Sequence, residues 1–268
     1  MCRTIKTFLP LIQQSTTIMK KLTTLIILVF IFSCAVAQEI EWQNTIGGNG
    51  HDQLRAVRQT GDGGCILGGA SVSNISGDKT ENSNGDYDYW IVKTDAAGNI
   101  QWQNSIGGSG YDYLIAIEQT NDMGYILGGF SSSDSSGDKA ENNWDTSSIT
   151  YDYWIVKTDS LGNIQWQNNI GGNGVDQLSS IQQTADGGYI LGGFSNSNIS
   201  GDKAENCLGP WDYWIVKTDS LGNIQWQNTI GGNGVDDLES IKQTADGGYI
   251  LSGVSGSGIS GDKNGKQL

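Results

Sequence analysis

The sequence predicts an all-β fold: a β-propeller, or part of one, with about four four-stranded antiparallel blades, the last of them incomplete. Three observations predict it. A unit of about 60 residues recurs, because Trp42, Trp102, Trp166 and Trp226 each open the motif WQNxIGG at spacings of 60, 64 and 60. Each unit holds short apolar segments that alternate with period two, and no window carries a helical period. Glycine-rich turns separate the segments, in a chain of 268 residues with 39 Gly and 2 Pro.

Within a unit the first segment is xLxxxxxQT, at Leu54–Thr60, Leu114–Thr120, Leu178–Thr184 and Leu238–Thr244. The second is GGYILGG with small variations, at Gly63–Gly69, Met123–Gly129, Gly187–Gly193 and Gly247–Gly253. The turn between them, TADGGY in its commonest form, signals a tight hairpin, since Gly takes positive φ without steric cost. The third segment, DYWIVKTD, begins at Asp88, Asp152 and Asp212. It alternates Tyr89, Ile91 and Lys93 against Trp90, Val92 and Thr94, residue types that suit a pleated, half-buried surface. A longer turn, TDSLGN, opens on Asp and puts Gly in the left-handed position. The fourth segment is NIQWQNxIGG. One such meander is too small to be stable alone, whereas stacked copies bury one another's faces. A β-solenoid and a string of separate hairpins are the alternatives to radial stacking. Trp42, Trp102, Trp166, Trp226, Trp90, Trp154 and Trp214 read as structural, packing between blades. Cys65 stands where other units have Tyr125, Tyr189 and Tyr249, a substituted packing residue, though a pairing with Cys207 stays open.

The segment counts do not match. There are four WQNxIGG and three DYWIVKTD. With the first segment innermost, the chain starts on an outer strand, EIEWQN, and ends after an inner pair. That outer strand could complete the last blade, yet one strand would still be missing. The expectation is therefore one piece of a longer array, with an exposed sheet edge prone to pair with another chain.

Before the repeats lies a targeting segment. Met19, Lys20 and Lys21 precede an apolar run, Leu25–Phe32, and Ala35, Val36 and Ala37 form a small-x-small cleavage site. The run is short for a membrane span. Residues 1–37 therefore read as an upstream extension plus a secretory signal peptide, with Met19 the true start, and 38–268 as the repeat domain. Lipidation at Cys34 stays open, although Phe32 sits where lipoprotein signals want a small residue. The formal net charge of −14 deepens when Arg3, Lys6, Lys20 and Lys21 leave with the signal. Such acidity excludes nucleic acid, whose phosphates need a basic face, and an anionic membrane surface.

The motif series YILGG…DYWIVKTDSLGNIQW resembles a kelch-type propeller blade. Over Glu39–Lys263 it also resembles the DYWVVKLD…GNIxWQ…GGYIVAG arrays of secreted Gram-negative surface proteins, often exported by type IX secretion. That resemblance implies a propeller and surface localisation and fixes no activity. DSL at Asp159–Leu161 and Asp219–Leu221 resembles a short O-glycosylation signal of Gram-negative periplasmic proteins; a turn role explains the same residues.

Candidate sites fall on the loops. In a meander alternate loops share an end, so the SGDKxEN loops and the IGGNGxD turns are expected on one face, with the longer, more variable connections on which binding concentrates. The candidate binding residues there are Asp78, Glu81, Asp138, Glu141, Trp144, Asp202, Glu205 and Trp211. Asp52, Asp112, Asp176 and Asp236 are weak Ca²⁺ candidates, since their spacing matches no known calcium loop and solvated polar loops explain them as well. No other cofactor is implied. His51 is the single histidine, with no partner for a triad or metal set.

The leading expectation is a secreted or cell-surface, non-enzymatic repeat protein that recognises a protein or glycan, with no membrane span in the mature chain. The rivals are an extracellular carbohydrate-active propeller enzyme using loop-face carboxylates, and a structural module of a longer secreted protein.

Overall fold

A computed structural model describes Lys21, residues 40–145 and residues 150–263. Apart from Lys21, the expected upstream extension and signal peptide lie outside the described residues. Chain contacts divide the protein into two units, Met1–Gln43 and Asn44–Leu268. In the first, residues 40–43 carry no strand and Trp42 is exposed.

The second unit is all-β. Its first sheet is β1 (Asp52–Gln59), β2 (Cys65–Ser71), β3 (Asp88–Thr94) and β4 (Ile100–Ile106). The next is β5 (Asp112–Gln119), β6 (Tyr125–Ser131), β7 (Asp152–Thr158) and β8 (Ile164–Ile170). The third is β9 (Asp176–Gln183), β10 (Tyr189–Ser195), β11 (Asp212–Thr218) and β12 (Ile224–Ile230). The last sheet has two strands, β13 (Asp236–Gln243) and β14 (Tyr249–Ser255). Pairing is antiparallel and sequential in all four. The first strand of each sheet carries a bulge beside its Leu, as between Leu54 and Ala56, which sharpens the local twist.

Hairpin chemistry recurs too. In the β5–β6 turn the Asp122 carboxylate accepts the Thr120 hydroxyl and the Gly124 N–H. The residue before that glycine sits at positive φ: Gly63 at 86°, Gly187 at 85° and Gly247 at 87°, but Met123 at 68°. Met123 thus holds a conformation that strains any residue with a Cβ.

The sheets pack face on face in chain order. Tyr89, Ile91 and Ile106 of the first sheet meet Leu114, Ile117, Leu127, Trp154 and Val156 of the second. The same contact recurs between the second and third sheets, through Tyr153, Ile155 and Ile170 against Leu178, Ile181, Leu191, Trp214 and Val216. Leu238 and Ile241 continue it onto the last sheet. Burial of each such side chain is worth roughly 1.5–3 kcal/mol, so these interfaces hold the array together. A tyrosine hydroxyl crosses each four-stranded junction, from Tyr89 to the Trp154 carbonyl at 2.9 Å and from Tyr153 to the Trp214 carbonyl at 3.1 Å. Trp102, Trp166 and Trp226 lie edge-on against Tyr125, Tyr189 and Tyr249 of the following sheet, 5.6–5.8 Å between centroids. Trp90, Trp154 and Trp214 are buried.

Among the described residues of the second unit, 44–48 form no strand and β14 pairs with β13. Asn44 donates to the Gly98 carbonyl at 3.2 Å, as Asn104 does to Gly162 and Asn168 to Gly222. Asn44 therefore occupies, ahead of the first sheet, the place that the fourth strand of one sheet takes ahead of the next. Cys65 and Cys207 are both free; the Cys207 thiol donates to the Ser195 and Ser197 carbonyls, standing in for the Ser83 hydroxyl of the first sheet.

Candidate functional site

The registers Asp52↔Ser71, Ser71↔Asp88 and Tyr89↔Ile106 put the SGDKxEN loop and the IGG turn at one end of the sheet. The candidate acids there are occupied by backbone. The Asp78, Asp138 and Asp202 carboxylates accept the N–H groups of Gly47, Gly107 and Gly171 at 3.1–3.2 Å. Glu81, Glu141 and Glu205 accept those of Ser105, Asn169 and Thr229 at 2.7, 2.8 and 2.6 Å. Each therefore fastens a loop to a neighbouring strand or turn, the local capping that Asp and Glu perform on free N–H groups. Trp144 is exposed, but its indole N–H donates to Asp202 at 2.8 Å. Trp211 is half-buried and edge-on to Phe194, 5.3 Å between centroids.

The weak calcium candidates are anion caps of the glycine turns. Asp112 accepts the Gly108 N–H at 2.6 Å and the Ser133 hydroxyl at 3.0 Å; Asp176 accepts Gly172 N–H and Ser197 at 2.8 and 2.9 Å. Asp52 and Asp236 take Gly48 and Gly232 in the same way, at 2.7 and 2.8 Å. Among the described residues no group of three or more His, Cys, Asp or Glu side chains is arranged to hold a metal ion.

What the motifs did not reveal is how deep the neighbouring charges lie. Lys79, Lys139 and Lys203 of the SGDK loops are buried, as are Asp88, Asp152 and Asp212 at the head of each third strand. Burial pushes Asp88 up to about 6 and Asp152 up to about 7, and brings Lys139 down to about 8. These groups are sealed from solvent, so they set stability rather than surface chemistry. The alternating side chains at the other strand end do the reverse. Lys157 ion-pairs with Asp122 at 2.9 Å; burial opposes the ionised carboxylate, yet the Thr120 and Lys157 donors hold it at about 2.

One feature breaks the repetition. His51, exposed, shares a hydrogen between its Nδ1 and the Tyr87 hydroxyl at 2.8 Å. Tyr87 stacks on Tyr113 at 4.9 Å and on Tyr111 at 6.2 Å, and Tyr113 leads through Phe130, at 5.3 Å, to Tyr151, a further 5.2 Å away. All five rings are half-buried, presenting edges and faces to solvent at the loop end of the first two sheets. Where Tyr111 and Tyr113 stand in the second sheet, the third has Val175 and Gln177 and the last has Val235 and Asp237. The cluster gathers residues from four separate segments, and the inequalities at the Tyr111 and Tyr113 positions are its trace in the sequence.

No protein-family model matches the chain. It is similar to the regulatory protein FlaEY of Caulobacter vibrioides (strain ATCC 19089 / CIP 103742 / CB 15), with 27% identity over 180 residues, which is 64% of this chain and 19% of that protein. The chain thus spans under a fifth of that relative's length.

Proposed function

We propose that the chain is a secreted or cell-surface recognition scaffold, a section of a β-propeller that binds a glycan or protein and does no chemistry of its own. The radial arrangement is supported by consecutive contacts among the first strands of the sheets, β1 with β5, β5 with β9 and β9 with β13, as expected where blades converge on an axis. The observation that carries the binding reading is the asymmetric aromatic cluster of Tyr87, Tyr111, Tyr113, Phe130 and Tyr151. Tyrosine faces offer apolar area to the C–H faces of sugars, or to an apolar side chain, while their hydroxyls hydrogen-bond the rim. Half-burial holds the rings in place, so little entropy is lost on binding. The loop acids support a non-enzymatic reading, since one oxygen of each already accepts a backbone N–H that fastens a loop. The test is a glycan array and a cell-surface pull-down with the native chain and a Tyr87→Ala/Tyr111→Ala variant. Hits lost in a variant with unchanged melting support the reading. Hits retained by the variant overturn the site, and a cleaved or released product overturns the non-enzymatic part.

A further inference from the structure

The tyrosine cluster is bordered on one side by polar groups of the first sheet. His51, just before β1, and Gln53 and Arg55 within it form a hydrogen-bonded row. The Arg55 guanidinium donates to Gln53 Oε1 at 2.5 Å, Gln53 Nε2 meets His51 Nδ1 at 3.1 Å, and that nitrogen meets the Tyr87 hydroxyl at 2.8 Å. Tyr87 lies 4.9 Å from Tyr113, so the row runs from a guanidinium directly into the rings. The Tyr113 phenol is pushed up by burial and by the neighbouring tyrosines, and the Arg55 charge opposes that rise. The charge therefore acts beside the ring.

The row fixes the place of its own protons. A guanidinium only donates, so the Gln53 atom that meets Arg55 is the carbonyl oxygen and the amide NH₂ meets His51. An amide nitrogen also only donates, so His51 Nδ1 accepts and the imidazole proton sits on Nε2. Among the described residues nothing takes up that Nε2–H, and Arg55 makes no ion pair. Arg55 and His51 are both exposed. What the row offers to solvent beside the rings is therefore a guanidinium and an imidazole N–H, both donors.

This is unusual in a chain of formal net charge −14, in which Arg55 and Arg58 are the only arginines beyond Arg3. Where β1 has Arg55, the later sheets have Ile115, Ser179 and Glu239; where it has Gln53, they have Tyr113, Gln177 and Asp237. The donor row and the stacked tyrosines come together once, where the first sheet meets the second.

Given that the ring cluster binds, as proposed above, we infer that its ligand is a glycan bearing a sugar carboxylate, as in a uronic or sialic acid. The sugar lies against the faces of Tyr87 and Tyr113, and its carboxylate pairs with Arg55, whose planar fork matches two carboxylate oxygens. The His51 Nε2–H donates to a further sugar oxygen. A neutral sugar leaves the guanidinium without a partner, and a cationic one is repelled by it. The Gln53 bond and the half-burial of the rings hold these groups in place before the ligand arrives, so little freedom is lost in the pairing. A succession of rings from Tyr87 through Tyr113 and Phe130 to Tyr151 favours a chain of sugar residues over an acidic peptide.

The test uses the native chain, Arg55→Gln and Tyr87→Ala/Tyr111→Ala on an array of matched pairs. Each uronate- or sialate-bearing glycan stands beside its carboxyl methyl ester, with sulfated glycans and a Glu-rich peptide as further arms. The native chain should prefer the acid to its ester by about tenfold to a hundredfold, the range of a charge-assisted pair, and added salt should narrow the gap. Arg55→Gln, with unchanged melting, should bring each acid down to the level of its ester. The tyrosine variant should weaken acid and ester alike. Equal binding of acid and ester, a preference that survives in Arg55→Gln, or stronger binding of the sulfated glycans or the peptide would overturn the inference while leaving the ring cluster a binding site. Acid binding that is lost in Arg55→Gln but untouched in the tyrosine variant would overturn the role of the rings, and no glycan bound by the native chain would overturn both.

Discussion

Asp152 should make the protein lose stability as pH rises through neutrality, and an Asp152→Asn variant should remove most of that loss. The side chain is wholly buried at the head of β7. Burial raises it from the ordinary 3.8 to about 7, against the hydrogen bonds from the Trp144 N–H at 2.8 Å and the Asn169 amide at 2.7 Å. Both bonds go to Oδ2, and Oδ1 has no hydrogen-bond partner. A group whose folded pKa is raised holds its proton more tightly when folded. Its stabilisation is full below about pH 4 and is lost as pH climbs through about 7. At 1.36 kcal/mol per unit, Asp152 alone contributes a fall of roughly 2.5 kcal/mol between about pH 5 and pH 8. Asp88, raised to about 6 by burial, adds roughly 1.4 kcal/mol of the same sign. Asp122 and Asp186, held at about 2, have the opposite sign. Their loss comes as pH falls below about 4, and their carboxylates are more than half exposed, so screening leaves each of them little weight. Asparagine keeps an acceptor for Trp144 and Asn169 and carries no titrating proton. Urea unfolding followed by tryptophan fluorescence in buffers at the two pH values measures the difference. The native chain should lose several kcal/mol on going from the acid to the alkaline buffer, and the variant about 2.5 kcal/mol less. Parallel losses in the two proteins, or a native chain more stable in the alkaline buffer, would refute the reasoning.

The junctions between sheets give three further expectations. Tyr153→Phe deletes the hydroxyl bond to the Trp214 carbonyl and should cost about 1 kcal/mol in denaturant melts. Gly193→Ala should cost more than 3 kcal/mol or abolish folding, because a Cβ there overlaps the Gln177 carbonyl of the adjoining strand; circular dichroism and solubility report it. Met123→Gly should stabilise the chain by about 1 kcal/mol, since the residue sits at positive φ, and thermal melting with the Gly187 hairpin as internal comparison checks it.

The strands and turns were legible because each is a local consequence of its residues. Alternation in DYWIVKT and the glycine after Asp in the hairpins specify a strand and a turn without knowledge of neighbours, and repetition reported each one several times. The structural role of the loop acids was hidden for a related reason: Asp78 or Glu141 in a polar loop has the composition of a binding residue, and only the segment lying beside it, some 30 residues away in sequence, shows that one of its oxygens caps an N–H. The tyrosine cluster was illegible because it depends on which segments the meander brings together.

The near identity of the interfaces also bears on how the chain reaches this arrangement. The face of the second sheet that receives the first differs little from the face of the third, so side-chain contacts alone would let the first sheet dock onto either. Order is imposed by tethering. Gly107–Tyr111, Gly171–Val175 and Gly231–Val235 are all that separates the end of one sheet from the start of the next, so the neighbour in sequence arrives at far higher effective concentration than any other copy. Lengthening one of those tethers would leave the apolar contacts between sheets intact and still let a sheet be skipped, turning an accurate folding route into a branching one.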